Sequence, residues 1–314
     1  MQTDEQPNIA HALLIDAFAA RLDRDGLAPG TIVKYRHAVS DFLGWWERDP
    51  VLARRVDVET YLDRTTVLSG ASAANGRISG LKAFFNYLDS MGRLVNADGQ
   101  ELRNPVDGIR RRRRQRRAND WLDADEDAAL LSSPINAQER LVLSLLRWTG
   151  MCVGEACAVT WRDVDLARGE VRVRTSKTDA GIRTIPVLPE LDHDLRDWQR
   201  RVTDRGLYWP EGPVLVTNRR TAMKPTFAWR LLKRIAARGG VRARPAADTN
   251  GENVSTISPH TLRRTFASDL LNRGMRMETV ARLLGHTDTR VTSTYYAELL
   301  ASTVRDEFLE VMGR

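Results

Sequence analysis

The 314-residue chain reads as two mainly helical domains, the second carrying a small antiparallel β-sheet. Three observations predict this class. The length exceeds what one ordinary core fills, so two domains are expected. Apolar residues recur at helical spacing through most of the chain. Only two short neighbouring segments, Glu170–Arg174 and Ile182–Val187, alternate as half-exposed strands do, with Asp179-Ala180-Gly181 as the turn between them.

Residues 8–106 form the first domain, 107–120 an arginine-rich linker and 121–314 the second domain. In the first, Pro29-Gly30-Thr31 starts a helix with Tyr35, Val39, Phe42, Leu43 and Trp46 on one stripe, and Asp49-Pro50 ends it. Val58–Leu62 opens a short helix. From Ala71 another follows, apolar at Ile78, Leu81, Phe84, Phe85 and Leu88. Its other face carries Ser72, Asn75, Arg77, Ser79 and Lys82, which suits contact with a nucleic-acid backbone and equally an ordinary wet face. Asn104-Pro105 breaks the pattern. After Trp121, helices are expected at Asp123–Leu131, Glu139–Trp148, Leu191–Val202 and Thr226–Ala237, then a loop from Gly239 to Ser255, then three short helical pieces.

The composition is 42% hydrophobic and 28% charged, a globular balance, and no apolar run approaches the roughly 18–20 residues that span a bilayer. The start, MQTDEQPNIA, lacks the basic and apolar regions of a secretion signal, and two cysteines, Cys152 and Cys157, exclude a disulfide scaffold. A reducing cytoplasm is the expected compartment. Lys+Arg is 48 against 41 Asp+Glu. The stretch 110–117 holds seven arginines: Arg110, Arg111, Arg112, Arg113, Arg114, Arg116 and Arg117. Without them the balance is 41 against 41, so the whole excess of +7 sits in one block. Such a block is either a solvated linker or a contact for a polyanion, and arginine's bidentate fit to phosphate favours nucleic acid. Lysine is scarce, with five in all, so a lysine within a site would be there for its titratable proton.

The chemistry concentrates near the C-terminus. Ser258-Pro259-His260-Thr261-Leu262-Arg263-Arg264 is a helix start with a serine cap and proline in the first turn. His260 and Arg263, three apart, lie over free N–H groups and the positive dipole end, as an anion site requires. Arg264 could take the same role. In Leu283-Leu284-Gly285-His286, Gly285 ends a helix in the left-handed conformation and directs His286 outward. Tyr295 follows nine residues later, with Tyr296 beside it. Two of five histidines and two of six tyrosines thus fall within 37 residues. No metal-ligand quartet or Walker loop accompanies them. The set points to phosphate chemistry with a tyrosine nucleophile and no cofactor or metal.

His260-x-x-Arg263, Leu284-Gly285-His286 and Tyr295 nine residues on resemble the ordered motif of the tyrosine recombinases, the phage-integrase family, over nearly the whole chain. The resemblance implies a two-domain DNA clamp: a helical core-binding domain followed by the α/β catalytic domain. It implies Tyr295 as nucleophile, Arg263, His260 and His286 as phosphate ligands, Lys177 on a β-turn as general acid, and Glu155 as a supporting residue. It also implies double-stranded DNA carrying specific recombination sites, a tetramer on that DNA in the nucleoid, and an accessory recombinase or DNA-bending protein as a further partner. The apolar stripe Leu299, Leu300, Val304, Phe308, Val311 and Met312 either packs on its own domain or, as the resemblance implies, docks on a neighbouring protomer. One position departs from the pattern. The family's first arginine stands in Thr-Gly-x-Arg-x-x-Glu, and here the segment is Thr149-Gly150-Met151-Cys152-Val153-Gly154-Glu155. A neutral thiol cannot clamp a phosphate oxygen. Two other readings therefore accompany the recombinase: a catalytically impaired regulator of recombination sites, and a strand transferase resembling the type IB topoisomerases.

Overall fold

The computed structural model describes residues 6–96, 98–113, 121–174, 181–245, 253–285 and 312. The chain divides into two compact units, Met1–Arg116 and Arg117–Arg314. The architecture is mostly helical with a small antiparallel sheet, in agreement with the expected class. None of the described helices is long and apolar enough to cross a membrane.

The first unit is built on α1 (Gln6–Arg24), α2 (Pro29–Trp46) and α3 (Arg55–Ser90). Its core joins Phe18 of α1, Phe42 of α2 and Phe84 and Phe85 of α3, all at 0% exposure. Phe18 meets Phe84 edge-on at 5.4 Å, and Phe42 meets Tyr61 edge-on at 5.2 Å, the arrangement aromatic quadrupoles favour. α2 and α3 cross closely at Gly80, where a Cβ would lie 2.5 Å from Ala38 Cβ. α3 is two helices joined across a kink at Gly70, whose φ of 82° and ψ of 164° leave the helical region, so the second begins at Ala71 as expected while the first, expected at Val58–Leu62, is longer. Val106 and Ile109 are buried in the same core, so the chain is still packed where the arginine run begins.

The second unit opens with α4 (Ala124–Leu131) and α5 (Ala137–Thr149), capped by the side chains of Asp123 and Asn136. α6 (Val153–Ala158) follows after one turn. The sheet has the order β1 (Val164–Asp165), β2 (Glu170–Val173), β3 (Arg183–Pro186), all antiparallel, with Val171 opposite Ile185. Val171, Val173 and Ile185 face inward while Arg172 and Thr184 face out, the alternation read from the sequence. α7 (Pro189–Asp204) and α8 (Pro225–Arg238) each begin at a proline. The expected loop from Gly239 to Ser255 is corrected at both ends. β4 (Ala243–Pro245) and β5 (Asn253–Ser255) pair antiparallel, and the Ser255 hydroxyl donates to the Val241 carbonyl at 2.7 Å. Of the residues that suggested a loop, Asp248, Asn250 and Gly251 fall between these strands in sequence and lie outside the described residues. α9 (Pro259–Asn272) and α10 (Met277–Leu284) complete the described fold. The Leu122 N–H donates to Thr265 Oγ1 at 2.9 Å, tying the start of this unit to α9.

Candidate active site

The motif residues that the structure describes meet where α5 ends, α6 begins and α9 and α10 pack. α5 terminates at Gly150, with φ 61° and ψ 14°. A Cβ there would lie 2.4 Å from Phe266 Cδ1 and 2.9 Å from Leu284 Cδ2, so only glycine permits both the turn and the approach of α9 and α10. Cys152 then caps α6: its Sγ accepts from the Glu155 N–H at 3.5 Å, and Glu155 Oε2 accepts from the Cys152 N–H at 2.9 Å. The break at Gly150 puts Arg147 and Cys152 on different helices. Arg147 is 2% exposed and committed elsewhere, paired with Asp127 at 2.8 Å and also with Asp269, with its guanidinium 4.5 Å from the Trp148 ring centre.

Ser258 caps α9 as expected, exchanging hydrogen bonds with Thr261. His260 is exposed on the first turn. Arg263 Nη1 donates to the Gly150 carbonyl at 2.9 Å, and its Nη2 donates to the Leu284 carbonyl. These carbonyls close α5 and α10. Helix C-termini carry unpaired acceptors and partial negative charge, which draws a guanidinium inward. α10 ends at Gly285 in the left-handed conformation, φ 72°, as the sequence indicates.

Sequence reasoning missed Arg183. Its guanidinium holds Glu155 in a fork, Nη1 to Oε1 and Nη2 to Oε2, both at 3.1 Å. Nε donates to the Leu283 carbonyl at 2.6 Å and Nη1 to the Gly181 carbonyl at 2.8 Å. Arg263 Nη1 lies 3.8 Å from the same carboxylate. The three side chains are 7%, 9% and 13% exposed for Arg183, Glu155 and Arg263. At Gly285 a Cβ would stand 2.9 Å from Arg183 Nη1 and 3.0 Å from Gly181 Cα. The glycine before His286 therefore allows the hairpin strand to approach. The only advance signal for Arg183 was its place on the second strand of the expected hairpin, which alone does not separate it from the other arginines.

The electrostatics follow. Burial pushes the Glu155 carboxyl up, but the Arg183 fork, the Cys152 N–H and the charge of Arg263 outweigh it and leave the group below its ordinary value. The Cys152 thiol is pushed up, mainly by burial, and Cys157 is pushed up to about 11 for the same reason. A thiol so raised is protonated at neutral pH and supplies no charge.

Lys177, His286, Tyr295, Tyr296 and the C-terminal apolar stripe apart from Met312 lie outside the described residues, as do Arg114, Arg116 and Arg117. In the first unit, Lys82, Arg110 and Arg113 are exposed. Arg77 is largely covered and lies 2.9 Å from Asp41, which also accepts from the Tyr61 hydroxyl at 2.7 Å. Arg111 and Arg112 reach back to α3: Arg111 Nη2 donates to Ser79 Oγ at 3.3 Å and Arg112 Nη2 to Asp63 at 2.6 Å.

Comparison with known proteins gives a consistent result. The model of the phage integrase family matches residues 115–301. A tyrosine recombinase of Pseudothermotoga lettingae is 30% identical over 277 residues, covering 86% of this chain and 87% of that protein. Among solved structures, a lambda integrase(75–356) dimer bound to a COC′ core site aligns with a TM-score of 0.69 at 20% identity, covering 90% of this chain and 94% of that one. A lambda integrase tetramer bound to a Holliday junction aligns with a TM-score of 0.65 at 20% identity, covering 88% and 77%.

Proposed function

The chain belongs to the phage integrase family of tyrosine recombinases, and from that premise we propose that it cuts and rejoins DNA at specific sites through a 3′-phosphotyrosyl intermediate. The Tyr295 phenolic oxygen gives up its proton to water and attacks the scissile phosphorus, a P–O bond forms to tyrosine, and the bond to the 5′ oxygen breaks. Lys177 delivers the proton that the leaving 5′ oxygen takes. A 5′ hydroxyl of a second strand reverses the step, and the retained phosphodiester energy makes ATP and metal unnecessary. Arg263, His260 and His286 bind the non-bridging oxygens as charge develops. The substrate is duplex DNA held by several protomers, in keeping with the dimeric and tetrameric DNA complexes of the lambda integrase neighbours.

The observation that carries this reading is the cluster of Arg263, Glu155 and Gly150 at the base of α9, with Gly285 bringing α10 to the same place. A nicked suicide duplex carrying the native site tests it. The account expects a covalent protein–DNA adduct that Tyr295→Phe abolishes while DNA binding stays nearly unchanged. An adduct that survives in Tyr295→Phe and is lost in Tyr296→Phe would assign the nucleophile to the neighbouring tyrosine.

Cys152 favours a second reading. Losing one transition-state donor typically costs about 10²–10³ in rate, so the chain also fits a weakened recombinase that occupies sites and regulates them. Tight site binding with no adduct from any nicked substrate would select that reading.

A further inference from the structure

Asn75 was read from the sequence as one of several polar residues on a helix face that suits nucleic-acid backbone contact and equally an ordinary wet face. In the structure it is 4% exposed, and its side-chain amide bonds one residue twice. Nδ2 donates to the Arg112 carbonyl at 2.9 Å, and Oδ1 accepts from the Arg112 N–H at 2.7 Å. The amide thus pairs with the chain as an adjacent strand would, 37 residues away in sequence. The core itself does not ask for a polar group here. A buried amide that spends a donor and an acceptor on one backbone is placed there to hold that backbone. With Val106 and Ile109 buried just upstream, the chain is anchored from the last turn of the core to the third arginine of the run.

The anchor decides where the next side chains stand. Arg111 reaches Ser79 Oγ, and Arg112 reaches the Asp63 carboxylate on the same helix. Asp63 is 70% exposed, so its hold on Arg112 is a weak surface pair. Arg112 Nε is shielded from water and has no hydrogen-bond partner. One carboxylate oxygen therefore leaves part of the guanidinium fork unspent, and a phosphate presented in a polyanion competes well for it.

We propose that Asn75 is the positioning residue of a backbone-phosphate site made by Arg111, Arg112 and Ser79, and that Asp63 is the carboxylate a DNA phosphate displaces there. The proposal rests on the reading of the chain as a DNA-binding recombinase. Without the anchor, the first arginines of the run would have to be ordered when DNA arrives, and that ordering would weaken binding.

The test uses the full chain and a generic 30-base-pair duplex, with binding followed by anisotropy across a salt series. Arg111→Gln with Arg112→Gln should lower the slope of log affinity against log salt by about 1.8, roughly 0.9 for each lost phosphate contact. Asn75→Ala should weaken binding about two- to tenfold, as expected for one or two side chains that must be ordered on binding. That effect should vanish when the two Gln substitutions are already present, which a general loss of structure would not do. Asp63→Asn should tighten binding by up to about fivefold. An unchanged slope in the double Gln protein, equal weakening by Asn75→Ala in both backgrounds, or no gain from Asp63→Asn would each overturn the proposal. If Asn75→Ala loses its cooperative unfolding transition, the Asp63 and double Gln proteins carry the test alone, each first shown to keep the parent's unfolding transition. Failure of the parent protein to bind duplex DNA at any salt would instead refute the functional reading beneath it.

Discussion

Arg183 ties three backbone segments together through one planar group: the Gly181 carbonyl before β3, the Leu283 carbonyl of α10 and the Glu155 carboxylate of α6. A lysine could not reproduce that fork. Replacing Arg183 with Met leaves a buried carboxylate with only the Cys152 N–H and the more distant Arg263 guanidinium beside it. The expected loss is about 3–5 kcal/mol of unfolding free energy, the usual cost of orphaning one partner of a buried pair. Changing Glu155 to Gln as well should recover part of it, and denaturant unfolding of the single and double variants measures the difference. If Arg183→Met unfolds at the parent's midpoint, the pair is not what joins the segments. The same carboxylate sets a pH dependence. Its folded value lies below the ordinary 4.5, so its contribution is complete above about pH 4.5 and is lost as pH falls through the depressed folded value. The stability gap between the parent and Glu155→Gln should shrink below pH 4.5 and be flat above it. A gap that widens on acidification would reverse the sign. At this scale the sequence was legible where backbone geometry demands a residue type: Gly285 and the Ser258 cap are where their chemistry requires. Arg183 and Asn75 were not, because their partners lie 28 and 37 residues away and no local pattern encodes such a distance.

Elements followed the hydrophobic period closely. α4, α5, α7 and α8 and the β2–β3 hairpin fall within two residues of the expected spans, since each has an apolar stripe with a cap or proline at its start. β4 and β5 escaped because three-residue strands carry no readable alternation, and their pairing is set by tertiary contact with α8. The kink in α3 at Gly70, by contrast, falls directly before the helix expected from Ala71. The crossing of α2 and α3 yields a sharp prediction, because two effects oppose there. Helix propensity alone says Gly80→Ala should stabilise the first unit by about 1 kcal/mol. Packing says the new methyl stands 2.5 Å from Ala38 Cβ and forces the helices apart, which typically costs about 1–3 kcal/mol. Packing is expected to win, so thermal unfolding should show Gly80→Ala less stable than the parent. A higher midpoint would mean that the crossing relaxes without strain.

Across the whole molecule, the balance of charge outside residues 110–117 is even, so attraction for a polyanion is concentrated in the arginine run rather than spread over both units. The family and the fold class were legible from an ordered set of motifs; no single one of them would have sufficed. What distinguishes this chain is the thiol of Cys152 inside an intact frame of Thr149, Gly150 and Glu155. The frame is kept by packing: Gly150 admits α9 and α10, and Glu155 is held by Arg183. We therefore propose that this is a recombinase site in which one phosphate-binding guanidinium is missing from a preserved scaffold. Single-turnover cleavage of the nicked native-site duplex by the parent and by Cys152→Arg tests it most directly. A restored donor strengthens as charge builds on the attacked phosphate, so the gain belongs in the cleavage rate more than in DNA affinity. Slow or undetectable cleavage is expected from the parent, and at least about a tenfold faster rate from Cys152→Arg, a cautious fraction of the usual donor effect. Full-speed cleavage by the parent with no gain from the arginine would contradict it.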